Sequence, residues 1–409
     1  MHPTLKKTPH YLWTFSFCAL ALFVPFSIAG ANTAIMFGFL ATLVATLTDP
    51  AARERYARIK RDPMLIACVL LVLSALPSVF MSENLRRALR DLKSYWILLV
   101  YFLVAYNLYS DKLRRIVFWI LFGSMTVSSF VALIQYSGGL QLLVFSIAPQ
   151  TYRPGSTLYN MTFAGILYQL ITVNSAVALR YKQFRSRALT LAAGAIIQSA
   201  ALFVTLTRGA WLACIAGLFS VPLLLRRRIL LLAMAFIVVA GVLAAFQNDT
   251  IRHRATTIVK SIREPTDDNI ATRFVLWDIS WQVFKEHPVL GVGMGDYSIA
   301  AREYLGGREV LTVVDSHNIY LQMLATRGLV GFIPFVIFWV VLFRVLFDAR
   351  RSAVRAGSRF GEHYVTGVMA ASVAILVGAL SENNVDDSEV FICFMLLAGI
   401  ARSFRITPS

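Results

Sequence analysis

Arginine and histidine side chains suit chemistry at a phosphate, and Arg208, Arg273 and His317 are among the candidates for it in this sequence. A guanidinium binds phosphate or pyrophosphate through paired, charge-assisted hydrogen bonds. An imidazole, with an unperturbed pKa of about 6.5, is mostly neutral at pH 7 and free to accept a proton. Two such cations and one such base could together steady a departing diphosphate and activate an attacking hydroxyl. Arg86, Lys93 and Arg153 are second-rank cations for the same anion, and Tyr152 beside Arg153 offers a further hydrogen-bond donor. Two other features attract less chemistry. The acidic stretch Glu382–Glu389 contains Asp386-Asp387, but adjacent aspartates without a nearby His or a third spaced carboxylate do not make a metal site, so it reads as a solvated loop available to pair with an arginine. Gly291-Val-Gly-Met-Gly295 lacks the strand before and helix after that a dinucleotide loop needs, so it reads as a flexible turn beneath the active face.

The elements that must hold these residues are apolar helices. Of the 409 residues, 57% are hydrophobic and 15% charged, against about 25% charged in a soluble domain. The apolar residues come in blocks that do not alternate as barrel strands do, and a helix needs roughly 20 of them to cross a bilayer. The blocks predict an all-α integral membrane protein of about twelve spans. The expected spans are 11–30, 31–48, 64–80, 94–109, 116–136, 158–179, 188–206, 209–225, 229–246, 328–347, 364–381 and 388–401, with turns at Gly30-Ala31-Asn32 and Thr207-Arg208-Gly209. The chain thus divides into a helical region over residues 1–246, a long exported segment 247–327 and a second helical region 328–409. The Lys6-Lys7 flank of the first span resembles a signal peptide, but a second span follows almost at once and cleavage is not expected. All four cysteines fall inside apolar spans, which excludes a disulfide framework and a cysteine metal site.

Charge then sorts the loops. With the N-terminus inside the cell, every short inner loop is basic, from Lys6-Lys7 through Arg226–Arg228 to Arg402 and Arg405, as the positive-inside rule requires. The net charge of +17 is therefore largely topological. The cations left on the outer side, Arg86, Arg87, Arg90, Lys93, Arg153, Arg208 and Arg273 among them, oppose that rule. Singly each reads as a headgroup contact; as a set they call for an anionic ligand, and at this depth the natural anion is a lipid phosphate or pyrophosphate. Nucleic acid is excluded, because the basic residues flank membrane spans on the exported side. Within the long segment, Thr272–Glu286 reads as an amphipathic helix, with Thr272 as N-cap, Arg273 in the first turn and Pro288 after its end. Phe274, Trp277, Trp281 and Phe284 share one face of it, suited to an interface or to capping a cavity.

Three ordered blocks carry a family resemblance. They are Thr205-Leu-Thr-Arg208-Gly-Ala-Trp-Leu212; Arg273-Phe-Val-Leu-Trp277 leading to His287-Pro288-Val-Leu-Gly291-Val-Gly293; and Ser316-His317-Asn318-Ile-Tyr320-Leu321 leading to Gly328-Leu-Val-Gly331. Over about residues 195–345 they resemble the O-antigen ligase/polymerase superfamily of bacterial membrane glycosyltransferases, and within it the O-antigen ligase. The chain departs from the family pattern at Thr326-Arg327, where an acidic residue is expected before the glycine. The resemblance implies a class C glycosyltransferase-like membrane fold in the bacterial inner membrane, with its active site facing the periplasm. It implies an inverting transfer of polysaccharide from undecaprenyl pyrophosphate to a sugar of the lipid A core, with neither metal nor nucleotide cofactor. In that setting Arg208 and Arg273 bind the pyrophosphate and His317 is the base, with neighbouring arginines keeping it neutral. A polymerase or a protein O-oligosaccharyltransferase of the same superfamily shares the donor chemistry; the short tail after the last span favours the lipopolysaccharide ligase, since protein-targeting members tend to be longer there. A flippase or transporter is the rival from another class, but such proteins hold ionisable groups near the midplane, and no Asp or Glu lies in the middle of an expected span.

Overall fold

The computed structural model describes residues 3–138, 154–181, 185–236, 269–305 and 315–406. Among them there is no strand, and the chain is a bundle of α-helices: α1 (Pro3–Phe23), α2 (Ile28–Thr48), α3 (Pro50–Ala57), α4 (Pro63–Phe80), α5 (Leu85–Lys93), α6 (Leu98–Asn107), α7 (Asp111–Tyr136), α8 (Asn160–Ala178), α9 (Arg185–Val204), α10 (Arg208–Leu224), α11 (Asn269–Glu286), α12 (Tyr297–Glu303), α13 (Ile319–Arg355), α14 (Arg359–Gly378) and α15 (Ser388–Ile406). Residues 228–236 are helical too. Seven of the described helices are long and apolar enough to cross a membrane. The chain is an all-α multi-pass membrane protein.

Local chemistry sets where the helices start. Asp49-Pro50 and Asp62-Pro63 begin α3 and α4: proline needs no N–H partner in the first turn, and each aspartate accepts from a backbone N–H, Asp49 from Ala51 at 3.0 Å and Asp62 from Met64 at 3.1 Å. Asn84, Ser110 and Asn318 cap α5, α7 and α13 in the same way. Three boundaries differ from the sequence expectation. The first turn falls at residues 24–27 and not at Gly30-Ala31-Asn32, because Ser27 caps α2 by accepting from Gly30 N. Arg208 is the first residue of α10, and the turn before it carries a left-handed Leu206 at φ 55°. Thr272 lies inside α11, which begins at Asn269, so it is not the N-cap and Arg273 sits beyond the first turn.

The middle of the bundle is α8, α14 and α15, whose side chains are buried on nearly every side. Helix α14 packs against α8 and α10, α15 against α6 and α13, and α13 against α4 and α11. Contacts near the helix ends separate two poles. At the basic pole the buried carboxylate of Asp62 accepts from Tyr106 Oη at 2.9 Å and from Arg402 Nε at 3.0 Å. There too Arg114 donates to Ser403 O at 2.8 Å and lies over the Phe404 ring. At the other pole Asp296 accepts from the backbone N–H groups of Glu83 and Asn84, and Thr162 donates to Asp387. Arg273 and His317 are at this second pole.

Helix α13 begins at Ile319, nine residues before the expected span, and it is broken at Gly328, where φ is 57° and ψ is −159°. The break is closed by the glycine-rich segment after α11. Val292 N donates to Ala325 O at 3.0 Å and Gly293 N to Thr326 O at 3.1 Å; Leu329 N donates to Pro288 O at 2.9 Å and Val330 N to Val289 O at 3.1 Å. Ser78 Oγ from α4 also donates to Thr326 O, at 2.8 Å. Gly291 to Gly295 is therefore a packed splice, not a flexible turn. A Cβ on Gly291 would strike the Thr326–Arg327 backbone, and one on Gly328 the Val289 backbone. The backbone angles at Gly328 belong to a region that is essentially glycine's alone, where a side chain costs about 1–3 kcal/mol. Gly328→Ala should therefore lower the thermal unfolding midpoint of the purified protein; a midpoint equal to the wild type's would show that the splice tolerates a side chain there.

Candidate functional site

Four segments converge at the second pole: the start of α10, the body of α11, the approach to α13 and the loop between α14 and α15. The approach to α13 is fixed first. Asn318 Oδ1 accepts from Tyr320 N and Leu321 N; Ser316 Oγ donates to Asn318 O at 2.7 Å; Ser316 N donates to Gln322 Oε1 at 2.9 Å. His317 is held between them in the left-handed region at φ 49°, its N–H donating to Asp315 Oδ1 at 2.8 Å. A non-glycine residue rarely takes this conformation, and here the surrounding hydrogen bonds impose it. Ile319 N then donates to Ala379 O at 3.0 Å and Tyr320 Oη to Leu376 O at 2.6 Å, which pins His317 beside the end of α14.

The residue that follows that end, Glu382, ties the site together. Its side chain is only 6% exposed. Oε1 accepts from Arg273 Nη2 at 2.6 Å, and Oε2 lies 3.8 Å from His317 Nδ1, which is also 3.4 Å from Asp315 Oδ1. Gly209, next to Arg208, packs directly on Ser381, and a Cβ there would be 4.0 Å from Glu382 Cγ. The loop holding Glu382 is thus the common neighbour of all three sequence blocks. Arg208 itself is exposed at the first turn of α10, whose N-cap Thr207 makes no side-chain cap. With Nδ1 turned toward two carboxylates, the ring's N–H belongs on Nδ1, and Nε2 carries the lone pair a base needs. Asp315 and Glu382 both approach Nδ1, and a carboxylate beside an imidazole orients the ring.

Beside this cluster a cavity of about 450 Å³ opens between α5, α13 and the loop 383–388. Helix α5 and its C-cap line it with Arg87, Arg90, Asp91 and Ser94, a single face at three- and four-residue spacing. Arg86 and Lys93, the expected second-rank cations, are exposed and do not line it, because Ala88 is the buried residue of α5 and they fall off that face. Tyr152 and Arg153 lie outside the described residues. Arg327, where the family pattern expects an acid, is buried and donates to Tyr95 Oη. It faces Asp386, a loop residue that solvent still reaches, whose carboxyl is pushed up to about 6 by desolvation, an effect that Arg327 opposes. The acidic loop is thus not simply solvated: Glu382 and Asn384 are buried and Asp386 and Asp387 line the cavity. Among the described residues no three His, Cys, Asp or Glu side chains are grouped to hold a metal ion.

The aromatic face of α11 points outward. Phe274 and Trp281 are exposed, while Leu276, Ile279 and Val283 are fully buried against Tyr297, Ala301 and Ala325. The helix is apolar on both faces, one for the protein and one for an apolar surrounding. Among the residues here, Arg87 and Arg90 stood in the sequence only as members of the outer cation set, Glu382 only within an acidic loop available to pair with an arginine, and Arg327 only as a departure from the family pattern. For α5 a signal existed: the Asn84 cap fixes the helix start, and 87, 90, 91 and 94 then share one side. For Glu382 the arginine partner was open in the sequence but its burial was not, since burial of a loop carboxylate depends on what folds over it.

Residues 193–336 match the family model described as O-antigen ligase. The matched segment includes Arg208, Arg273, His317 and the splice at Gly328, and leaves Glu382 and α5 outside. No curated protein matches the chain.

Asp386 makes a pH prediction. Its folded-state pKa of about 6 lies above the ordinary aspartate value, so ionising it costs the fold. The stability it contributes when neutral is full below its unfolded value near pH 4 and is lost as pH rises through about 6. The thermal midpoint of Asp386→Asn should therefore fall less than the wild type's between pH 4 and pH 7. Parallel curves would remove the assignment.

Proposed function

We propose, from the premise that this is an O-antigen ligase-family protein, that the chain transfers polysaccharide from undecaprenyl pyrophosphate to a sugar hydroxyl of the lipid A core at the periplasmic face of the inner membrane. The observation that carries the reading is the single buried carboxylate, Glu382, that binds Arg273 and faces His317. Glycosyl transfer from a pyrophosphate needs negative charge stabilised on the leaving oxygen and a proton removed from the attacking hydroxyl. Arg273 supplies the first. Glu382 occupies its Nη2, and a guanidinium has five N–H donors, so donors remain for a phosphate. Arg208 supplies a second cation at the N-terminal turn of α10, where the helix's positive end adds to it. Nε2 of His317 takes the acceptor proton, and Asp315 and Glu382 stabilise the resulting imidazolium. In-line attack by the activated hydroxyl inverts the anomeric carbon. The guanidinium charge does the work that a divalent ion does in metal-dependent transferases, so no metal is needed.

The test is transfer by the full-length protein in proteoliposomes, supplied with lipid-linked polysaccharide and lipid A-core, without an ion gradient. Product should form equally with and without a chelator. Removing a transition-state donor costs about 10²–10³ in rate, so Arg273→Ala and Arg208→Ala should fall by that order. His317→Ala should fall by about 10²–10⁴. Elongated lipid-linked chains with no lipid A product would instead indicate a polymerase, and lipid-linked material crossing the bilayer unchanged would indicate a flippase.

A further inference from the structure

A second cleft, of about 650 Å³, lies at the basic pole, far along the bundle from the candidate site. One stripe of α7 forms its wall, with Lys112 and Arg115 nearest the helix start and Ile116, Trp119 and Ile120 deeper along the same face. Tyr181 and Arg187 close the other side. Cationic groups at one end and an apolar, aromatic wall running from them is the pattern of a site for an amphiphilic anion.

Independent observations point to the anion. Arg180 and Arg187, from opposite sides of Tyr181 in sequence, both lie over its ring, at 5.1 and 6.0 Å. Arg180 and Arg115 both lie over Phe360, at 5.6 and 5.9 Å. Guanidinium groups from three elements therefore gather on two adjacent rings. Burial, and after it repulsion from Arg115, Arg187 and Arg359, holds Arg180 below the ordinary arginine range. Its Nη1 is buried and finds no hydrogen-bond acceptor among the described residues. The carboxylate nearest Arg115 is Asp111, 3.9 Å away, and Asp111 is more closely engaged with Arg114. Positive-inside topology accounts for basic residues at this pole but not for their convergence on one apolar cleft.

We propose that this cleft binds an anionic glycerophospholipid. The phosphodiester sits among Lys112, Arg115 and Arg187 with Arg180 behind it, and one acyl chain runs along Ile116, Trp119 and Ile120. A free phosphate would use the cations and leave the apolar wall empty, whereas a lipid uses both. Trp119 and Tyr181 suit the ester level, where amphipathic rings settle.

The full-length protein purified from mixed vesicles of phosphatidylglycerol and phosphatidylcholine should retain phosphatidylglycerol, counted by native mass spectrometry. Each cation near an anionic headgroup contributes severalfold, so the Lys112→Gln, Arg115→Gln, Arg187→Gln variant should retain it about a hundredfold less well. Arg351→Gln with Arg355→Gln, two exposed cations of α13 at the same pole, should leave retention unchanged. Arg115→Lys with Arg187→Lys should also keep it, separating lost charge from lost folding. Soluble glycerol phosphate should not displace the lipid. Undiminished retention in the glutamine variant, equal loss in the α13 variant, loss in the lysine variant, or displacement by glycerol phosphate would each overturn the proposal.

Discussion

Inside a membrane every backbone N–H and C=O needs a partner within the protein, and the candidate site is built around one place where a helix cannot supply it. Helix α13 breaks at Gly328, which frees carbonyls before the break and N–H groups after it. Residues 288–293 provide matching partners on both sides, and α4 adds the Ser78 hydroxyl. This splice fixes the exit of α11 against α13, and through Met294 N, which donates to Ser78 O at 3.2 Å, it also holds the end of α4. The three elements that bear Arg273, His317 and the α5 cations are thereby one rigid unit. A break that would be a defect in an isolated span becomes the joint that aligns the site.

On that frame the chemistry depends on a buried carboxylate. Taking a carboxylate out of water is costly unless it is paired, and Glu382 is paired with Arg273 at 2.6 Å. The pair costs Arg273 little of its capacity as an anion donor but fixes its direction. The same carboxylate, with Asp315, lies close to Nδ1 of His317. The carboxylate therefore holds Arg273 and approaches His317, and on the proposed reading it positions both a cation and a base.

Much of the fold was legible because it follows from periodicity and composition. Among the described residues the apolar blocks fall on helices, with the expected span 229–246 lying beyond them after residue 236, and basic residues gather at one pole. The loop at Ser381 and Glu382 neighbours Gly209, Arg273 and His317, one residue from each of the three blocks. What was not legible has one cause: it depends on contacts between segments distant in sequence. The glycines after α11 look flexible until the carbonyls of Ala325 and Thr326 are seen opposite them. Glu382 looks solvated until α10 and α11 close over it. Arg86 and Arg87 are equivalent as residues, and only the burial of Ala88 decides which of them faces the cavity.

The distribution of partners among the arginines explains how the two poles can differ in function with similar charge. At the basic pole Arg402 and Arg114 are locked to Asp62, Asp111 and Ser403 and serve packing. At the other pole Arg273 is neutralised by Glu382, while Arg208 is exposed beside it. On the proposed reading a diphosphate arriving there would meet one guanidinium that is oriented but already balanced by Glu382, and one that is exposed and less constrained. The first supplies geometry and the second supplies net charge. On that reading neither alone would both attract the donor and hold its leaving oxygen in line, which is the physical case for two arginines and a carboxylate over simply more positive charge.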